Sequence, residues 1–171
     1  IRPHQWLKNA LIFLPLILSH QLNHPNLLLQ ACVAFFSFSF IASSVYLLND
    51  MLDINSDRQH QSKFRRPFAS GDLSLIYGYL GAPSLLILGF LIASWLPTEF
   101  VFVLLTYWLM TTAYSLLLKS LFLVDVLTLA SLYTWRIIAG SAAISVVTTY
   151  YLLTFSFFLF LGLAMVKRYT E

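Results

Sequence analysis

Four long stretches of this chain contain no charged side chain. No Asp, Glu, Lys or Arg occurs in residues 9–49, 73–98, 100–118 or 137–166. The hydrocarbon core of a bilayer is about 30 Å thick, and a helix needs about 20 apolar residues to cross it. With 59% hydrophobic and 10% charged residues overall, the composition is that of an integral membrane protein and excludes an ordinary soluble domain.

The apolar stretches divide into six predicted transmembrane helices. The first is short and contains Pro15, so we expect it to be tilted, broken or partly interfacial. The predicted fold class is therefore all-α, a polytopic transmembrane helix bundle with about six spans in this chain. The expected bounds are residues 6–20, 27–48, 73–95, 100–118, 124–145 and 149–166.

The basic residues predict the orientation of these spans. An even number of crossings separates successive basic groups, whereas the opposite connections contain no Lys or Arg. Basic residues of short loops stay on the cytoplasmic side, so we predict that residues 49–72 face the cytoplasm. The basic groups are Arg2 and Lys8 around the start of span one, Arg58 to Arg66 after span two, Lys119 after span four, and Lys167 and Arg168 after span six.

A polar segment follows span two and carries Asp50, Asp53 and Asp57. If the helix continues through it, these i, i+3 and i+7 positions share one face, where three like charges repel unless a cation lies among them. Mg²⁺ prefers oxygen ligands and commonly takes one or two carboxylates, waters and substrate phosphates. We therefore predict that the three aspartates bind Mg²⁺. The alternative is a solvated loop with charges placed for topology, to which aspartates contribute little.

Cationic side chains follow the aspartates directly. Arg58, Lys63 and Arg66 lie within the next nine positions. Guanidinium and ammonium groups bind phosphate oxygens, so the segment suits a metal ion bound to a diphosphate. Because the segment is mixed in sign rather than simply basic, we expect no nucleic-acid partner.

Two further polar groups predict a site inside the bundle. Arg136 lies in span five, about three turns from Asp125 on the same helical face. An arginine near a helix centre should face the bundle interior, where it could either pair with a carboxylate or bind a phosphate. Tyr114 and Lys119 close span four and could line the mouth of the same cavity, or serve as an aromatic belt residue and a snorkelling lysine.

The aspartate segment resembles a known motif. Asn49-Asp50-x-x-Asp53-x-x-x-Asp57, followed by Arg58, Lys63 and Arg66-Pro67, is similar to the first aspartate-rich motif of the UbiA superfamily of intramembrane prenyltransferases. The branch that looks most similar contains the decaprenyl-phosphate phosphoribosyltransferases and related domains fused to haloacid dehalogenase-type phosphatases. The motifs that indicate this branch are Arg2-Pro3-His4-Gln5-Trp6-Leu7-Lys8-Asn9, Tyr114-Ser115-x-x-Leu118-Lys119, Asp125-Val126, Tyr133-x-x-Arg136-x-x-Ala139-Gly140 and Lys167-Arg168-Tyr169-x-Glu171.

The resemblance implies a bundle of about nine helices around a central cavity, with bound Mg²⁺ at the cytoplasmic face of the bacterial inner membrane. We expect residues 1–171 to form one UbiA-type domain cut out of a longer protein at both ends, so that this fragment alone would be inactive. The implied catalytic residues are Asp50, Asp53, Asp57, Lys119 and Arg136, with the three aspartates as metal ligands. The implied phosphate-binding residues are Lys8, Asn49, Arg58, Lys63, Arg66, Tyr114, Lys167 and Arg168.

The expected function is a Mg²⁺-dependent transfer that involves a polyprenyl lipid and releases pyrophosphate. The basic Lys167-Arg168-x-x-Glu171 replaces the usual aspartate-rich second motif and favours phosphoribosyl transfer from a phosphorylated sugar onto polyprenyl phosphate. The alternatives are prenyl transfer from a prenyl diphosphate to an aromatic acceptor, and a non-catalytic transporter or lipid-binding scaffold. A fused or associated phosphatase domain is a further expected partner.

Overall fold

The computed structural model describes residues 3–60, 63–118 and 122–170. In this part of the chain every regular element is helical, which confirms the predicted all-α class. The α-helices are α1 (Pro3–Trp6), α2 (Leu14–Leu18), α3 (Pro25–Leu52), α4 (Ile54–Gln59), α5 (Pro67–Ser70), α6 (Leu75–Ala93), α7 (Thr98–Ala113), α8 (Phe122–Ala143) and α9 (Tyr150–Thr170). Two 3₁₀ segments (Leu7–Phe13 and Lys63–Arg65) and a π-helical turn (Tyr114–Leu118) connect them.

Five of the predicted spans are long helices. Each of α3, α6, α7, α8 and α9, with the turn that extends α7, is long and apolar enough to cross a membrane. The first predicted span differs, because Leu7–Leu18 is a shorter apolar segment that changes from 3₁₀ to α-helix near Pro15. A proline at the start of a helix has no backbone N–H to lose. Of the three expected forms of span one, tilted, broken or partly interfacial, the structure shows a broken helix, and the sixth crossing of ordinary length is not found in the described residues.

Small residues allow α3 and α6 to approach closely. The Ser37 hydroxyl donates to the Gly89 carbonyl at 2.8 Å, and the Ser44 hydroxyl donates to the Ala82 carbonyl at 2.7 Å. A Cβ atom on Gly89 would lie only 3.2 Å from the Ser37 carbonyl oxygen. Within a bilayer, such close packing and interhelical hydrogen bonds replace the hydrophobic effect as the source of association.

The broken N-terminal segment packs between α3 and α8. Its Ile12 and Leu16 side chains are fully buried, and the Trp6 indole donates to the Ser43 hydroxyl on α3 at 3.0 Å. On the other side, a Cβ atom added to Gly140 of α8 would lie 2.1 Å from the Ile12 carbonyl oxygen. Only a glycine therefore permits this approach between the two backbones.

The polar segment lies at one end of the bundle. The long helices alternate in direction, so α3, α7 and α9 end there and α6 and α8 begin there. Contacts across this end include the Tyr114 hydroxyl of the π-helical turn with Asp125 of α8, and Arg168 of α9 with the same aspartate. We call it the aspartate end, defined by residues 49–60, 63–72, 114–118 and 167–169.

Candidate functional site

The aspartate segment is an almost continuous extension of α3. The helix pauses at Asp53, whose backbone N–H still donates to the Asn49 carbonyl at 2.9 Å. The N–H of Asp57 in turn donates to the Asp53 carbonyl at 2.8 Å, and α4 carries the segment on to Gln59. The predicted continuation of the helix is thus found, with a one-residue interruption at the middle aspartate.

Arg66 joins two of the three aspartates. Its guanidinium nitrogen lies 2.6 Å from a carboxylate oxygen of Asp57 and 3.2 Å from one of Asp50. Asp57 is buried, with 3% of its surface exposed, so an unpaired charge there would be costly. The shared contact places Asp50 and Asp57 on a common side, as the spacing predicts, and supplies the cation that their mutual repulsion requires.

The donor chemistry of this segment fits a Mg²⁺ ion. Among the described residues, no three His, Cys, Asp or Glu side chains are already grouped to hold a metal. A preformed cluster is not required, because Mg²⁺ usually keeps several waters and completes its shell with substrate phosphates. The carboxylates are hard oxygen donors, and the neighbouring Asn49 has a buried side-chain oxygen with no hydrogen-bond partner. Such an orphaned acceptor costs free energy unless a ligand satisfies it.

A cavity of about 110 Å³ opens next to this segment, inside the bundle. It is bounded by the N-terminal segment, α3, α7 with its π-helical turn, and α8. Two cationic side chains and several tyrosines face it, so it is both electropositive and aromatic. Four predicted site residues lie on its wall, namely Lys8, Asn49, Tyr114 and Arg136, together with Tyr46, Tyr107 and Tyr133.

Arg136 is buried, with 5% of its surface exposed. Its Nε donates to the side-chain oxygen of Asn9 at 2.9 Å, one terminal nitrogen donates to the Leu132 carbonyl at 2.6 Å, and the other to the Tyr107 hydroxyl at 3.3 Å. Within the described residues all of these acceptors are neutral. The carboxylate pair that the spacing to Asp125 allowed is therefore not found.

Aromatic rings surround the same guanidinium. Its central carbon lies 5.1 Å from the ring centroid of Tyr133, 5.5 Å from that of Tyr107 and 5.6 Å from that of Phe38. Each contact falls within the range of a cation–π interaction, which is strongest where water is excluded. The rings stabilise the charge of Arg136 without neutralising it.

Asp125 connects three helices at the aspartate end. Its carboxylate accepts a 2.5 Å hydrogen bond from the Tyr114 hydroxyl and lies 3.8 Å from a guanidinium nitrogen of Arg168. Tyr114 begins the π-helical turn, a feature often found at functional sites because it redirects side chains. The turn directs Tyr114 towards α8, and Asp125 links it to the basic end of α9.

The remaining predicted residues lie away from the cavity. Arg58 donates to the Ala69 carbonyl at 3.1 Å and lines a separate surface cavity with Arg65. Lys63 and Lys167 are exposed at the aspartate end. Lys119 is outside the described residues, so its predicted role stays a prediction.

Sequence reasoning missed the residues that hold Arg136. Asn9 and Tyr107 are both buried and both accept a hydrogen bond from its guanidinium. Asn9 stood out only as the last residue of the motif that begins at Arg2, without a role, at the start of an apolar stretch where a polar side chain needs an internal partner. Nothing local identifies that partner, because Arg136 lies 127 residues further along the chain.

Fold and site together define an integral membrane protein with a cation-lined cavity beside an aspartate-containing helix. The sequence pattern of the UbiA prenyltransferase family matches residues 10–170. The chain belongs to this family.

Several named proteins are similar to the chain over its whole length. It is 36% identical to protein y4nM of Sinorhizobium fredii, over 100% of this chain and 33% of that protein. It is 36% identical to the nodulation protein NoeC of Azorhizobium caulinodans, over 99% of this chain and 55% of that protein. It is 31% identical to the decaprenyl-phosphate phosphoribosyltransferase of Mycolicibacterium smegmatis, over 100% of this chain and 55% of that protein. The chain thus spans between a third and just over half of these relatives.

Proposed function

We propose that the protein is a Mg²⁺-dependent transferase that acts on a polyprenyl lipid and releases pyrophosphate. The observation that carries the proposal is the cavity, on which Lys8 and Arg136 lie beside the unpaired oxygen of Asn49. Arg136 is a buried cation, and buried cations in a membrane protein are expensive and mark substrate sites. An anionic substrate group in this cavity would offset the cost of burying Arg136, and Lys8 at the rim would add to the attraction.

The metal would be held at the aspartate segment. Asp50, Asp53 and Asp57 would supply carboxylate oxygens, and the Asn49 oxygen would be available beside them. Bound Mg²⁺ supplies charge neutralisation for a diphosphate and makes pyrophosphate a better leaving group. Arg66, which is already at this site, would exchange a carboxylate for a phosphate oxygen when the metal binds.

The favoured reaction is phosphoribosyl transfer onto polyprenyl phosphate. An oxygen of the lipid phosphate would attack the anomeric carbon of phosphoribosyl pyrophosphate, and the bond from that carbon to pyrophosphate would break. The donor carries a 5-phosphate in addition to its diphosphate, and the surplus cations Arg58, Lys63, Lys167 and Arg168 could bind it. The similar proteins of Mycolicibacterium smegmatis and Mycobacterium tuberculosis are named decaprenyl-phosphate phosphoribosyltransferases, which supports this choice.

The second candidate is prenyl transfer from a prenyl diphosphate to an aromatic acceptor. The tyrosines of the cavity favour it, since Tyr46, Tyr107 and Tyr133 could stabilise an allylic cation by their π-faces. A third possibility, a non-catalytic transporter or lipid-binding scaffold, would use the same cations without breaking a bond. Pyrophosphate release distinguishes it from both enzymes.

We further propose that the protein lies in the bacterial inner membrane with the aspartate end in the cytoplasm. Arg58 and Arg66 follow α3, and Arg168 lies near the end of α9, so all three basic side chains lie at one end of the bundle. This is the distribution that cytoplasmic loops carry. A soluble phosphorylated sugar would then have direct access to the site.

The experiment compares donors in the complete protein. Membranes or nanodiscs containing it would be given Mg²⁺ with phosphoribosyl pyrophosphate and polyprenyl phosphate, or with a prenyl diphosphate and an aromatic acceptor. We expect pyrophosphate release from the first pair, and its loss when EDTA is added. Release from the second pair alone would select the alternative enzyme, and release from neither would support the scaffold.

A further inference from the structure

The charge of Arg136 has no acidic partner among the described residues. Its three hydrogen bonds go to an amide oxygen, a backbone carbonyl and a phenol, and its faces contact aromatic rings. Asp125, the acidic residue of the same helix, accepts a hydrogen bond from Tyr114 and forms an ion pair with Arg168 instead. A buried guanidinium with only neutral partners keeps its full positive charge for whatever enters the cavity that it lines.

Asn9 is the partner that determines where this charge lies. Its side chain is 1% exposed and forms two hydrogen bonds. Its oxygen accepts from Arg136, and its nitrogen donates to the Ser39 hydroxyl at 2.9 Å. Because a guanidinium can only donate, the amide oxygen must face Arg136, and the bond to Ser39 holds the nitrogen end of the amide in place. The close contact between Ile12 and Gly140 fixes the segment that carries it.

We propose that Asn9 is a positioning residue that holds Arg136 for an anionic substrate group while leaving its charge uncompensated. The inference rests on the proposed function, which supplies the anion as a diphosphate or phosphate. An aspartate in place of Asn9 would have nearly the same shape and would bind the guanidinium more strongly. It would also neutralise the positive charge of Arg136. The amide of Asn9, in contrast, orients the guanidinium and leaves its charge available.

Asn9→Asp in the complete protein tests the idea, because a structural role and a positioning role predict opposite results. The probe is inorganic pyrophosphate with Mg²⁺, and its affinity is measured by calorimetry beside the thermal midpoint of unfolding. We expect Asn9→Asp to keep or raise the midpoint and to weaken pyrophosphate binding by at least about tenfold. The control is Asn26→Asp, which adds the same charge at an exposed position at the start of α3.

A second variant, Ser39→Ala, keeps the test independent of the new charge. It removes only the hydroxyl that anchors the nitrogen end of the Asn9 amide, on a helix that tolerates alanine. We expect a smaller loss of pyrophosphate affinity, about threefold to tenfold, and a higher KM for the donor with kcat less affected.

Wild-type affinity in Asn9→Asp and Ser39→Ala would overturn the positioning role and leave the proposed function intact. If the wild-type protein itself bound no pyrophosphate in Mg²⁺, the proposed function would fail, and this inference would fail with it. A loss of binding in Asn26→Asp equal to that in Asn9→Asp would also overturn it, since the effect would then be one of overall charge.

Discussion

Gly140→Ala should damage the site through one added methyl group. The new Cβ would lie 2.1 Å from the Ile12 carbonyl oxygen and 2.9 Å from the carbonyl carbon. Both atoms are backbone, so no side-chain rotation can relieve the contact. Ordinary contact begins near 3.4 Å, and the N-terminal segment would therefore have to retreat by about 1.3 Å.

This displacement of the N-terminal segment should lower the stability of the protein and lower its activity more strongly. Overpacking of this kind costs up to about 3 kcal/mol, and the helical preference of alanine over glycine returns about 1 kcal/mol, so we expect a net loss of about 2 kcal/mol. Asn9 lies on the retreating segment, and its 2.9 Å bond to Arg136 would lengthen beyond hydrogen-bonding distance. Misplacement of a substrate-binding group by about 1 Å can reduce turnover by about 100-fold.

The matched control is Gly162→Ala on α9, where an added Cβ would meet no atom within 4 Å. Thermal unfolding in detergent and pyrophosphate release at a temperature where both variants stay folded are measured for each. We expect Gly162→Ala to match the wild type or be slightly more stable, with normal turnover. If Gly140→Ala behaved in the same way, the close contact of the N-terminal segment with α8, and its role in the site, would be refuted.

Three further predictions concern the aspartate end. Asp53→Asn should abolish pyrophosphate release with near-normal expression and membrane insertion, and full activity of this variant, or of the wild type in EDTA, would contradict the metal role. Arg66→Gln removes the cation that joins two carboxylates, so Mn²⁺ affinity measured by electron paramagnetic resonance should rise about tenfold without pyrophosphate, whereas pyrophosphate affinity should fall. Unchanged affinities for Mn²⁺ and pyrophosphate would argue against the proposal that Arg66 exchanges a carboxylate for a phosphate oxygen. A cysteine placed at Ser62 should react with impermeant reagents only from the cytoplasm and one at Asn23 only from outside, and labelling of both from one face would refute the orientation.

Local patterns were sufficient to predict the long helices. The charge-free stretches place α3, α6, α7, α8 and α9 within a few residues of their observed bounds, because the bilayer itself fixes the length and polarity of a span. The first span was harder, since a 3₁₀ segment has the same composition as an α-helix. Its conformation depends on packing against α3 and α8, which periodicity does not report.

Local spacing also predicted part of the site, but not the contacts between distant spans. The shared side of Asp50 and Asp57 follows from helical spacing alone. The contact of Asn9 with Arg136 joins the first and fifth spans, and it depends on how the helices assemble rather than on any local signal. Spacing along α8 instead suggested Asp125, whose carboxylate accepts a hydrogen bond from Tyr114 and pairs with Arg168.

The central claim is that the cavity between the N-terminal segment, α3, α7 and α8 binds the phosphorylated end of a polyprenyl lipid. Its most direct test is photolabelling of the complete protein with a polyprenyl phosphate that carries a diazirine on the isoprene unit next to the phosphate, followed by mapping of the adducts. We predict adducts at Tyr46 and Tyr133 on the cavity wall, and their loss when unlabelled polyprenyl phosphate is added. Adducts confined to exposed residues of α9 such as Phe155 and Phe158, and unaffected by the competitor, would contradict the claim.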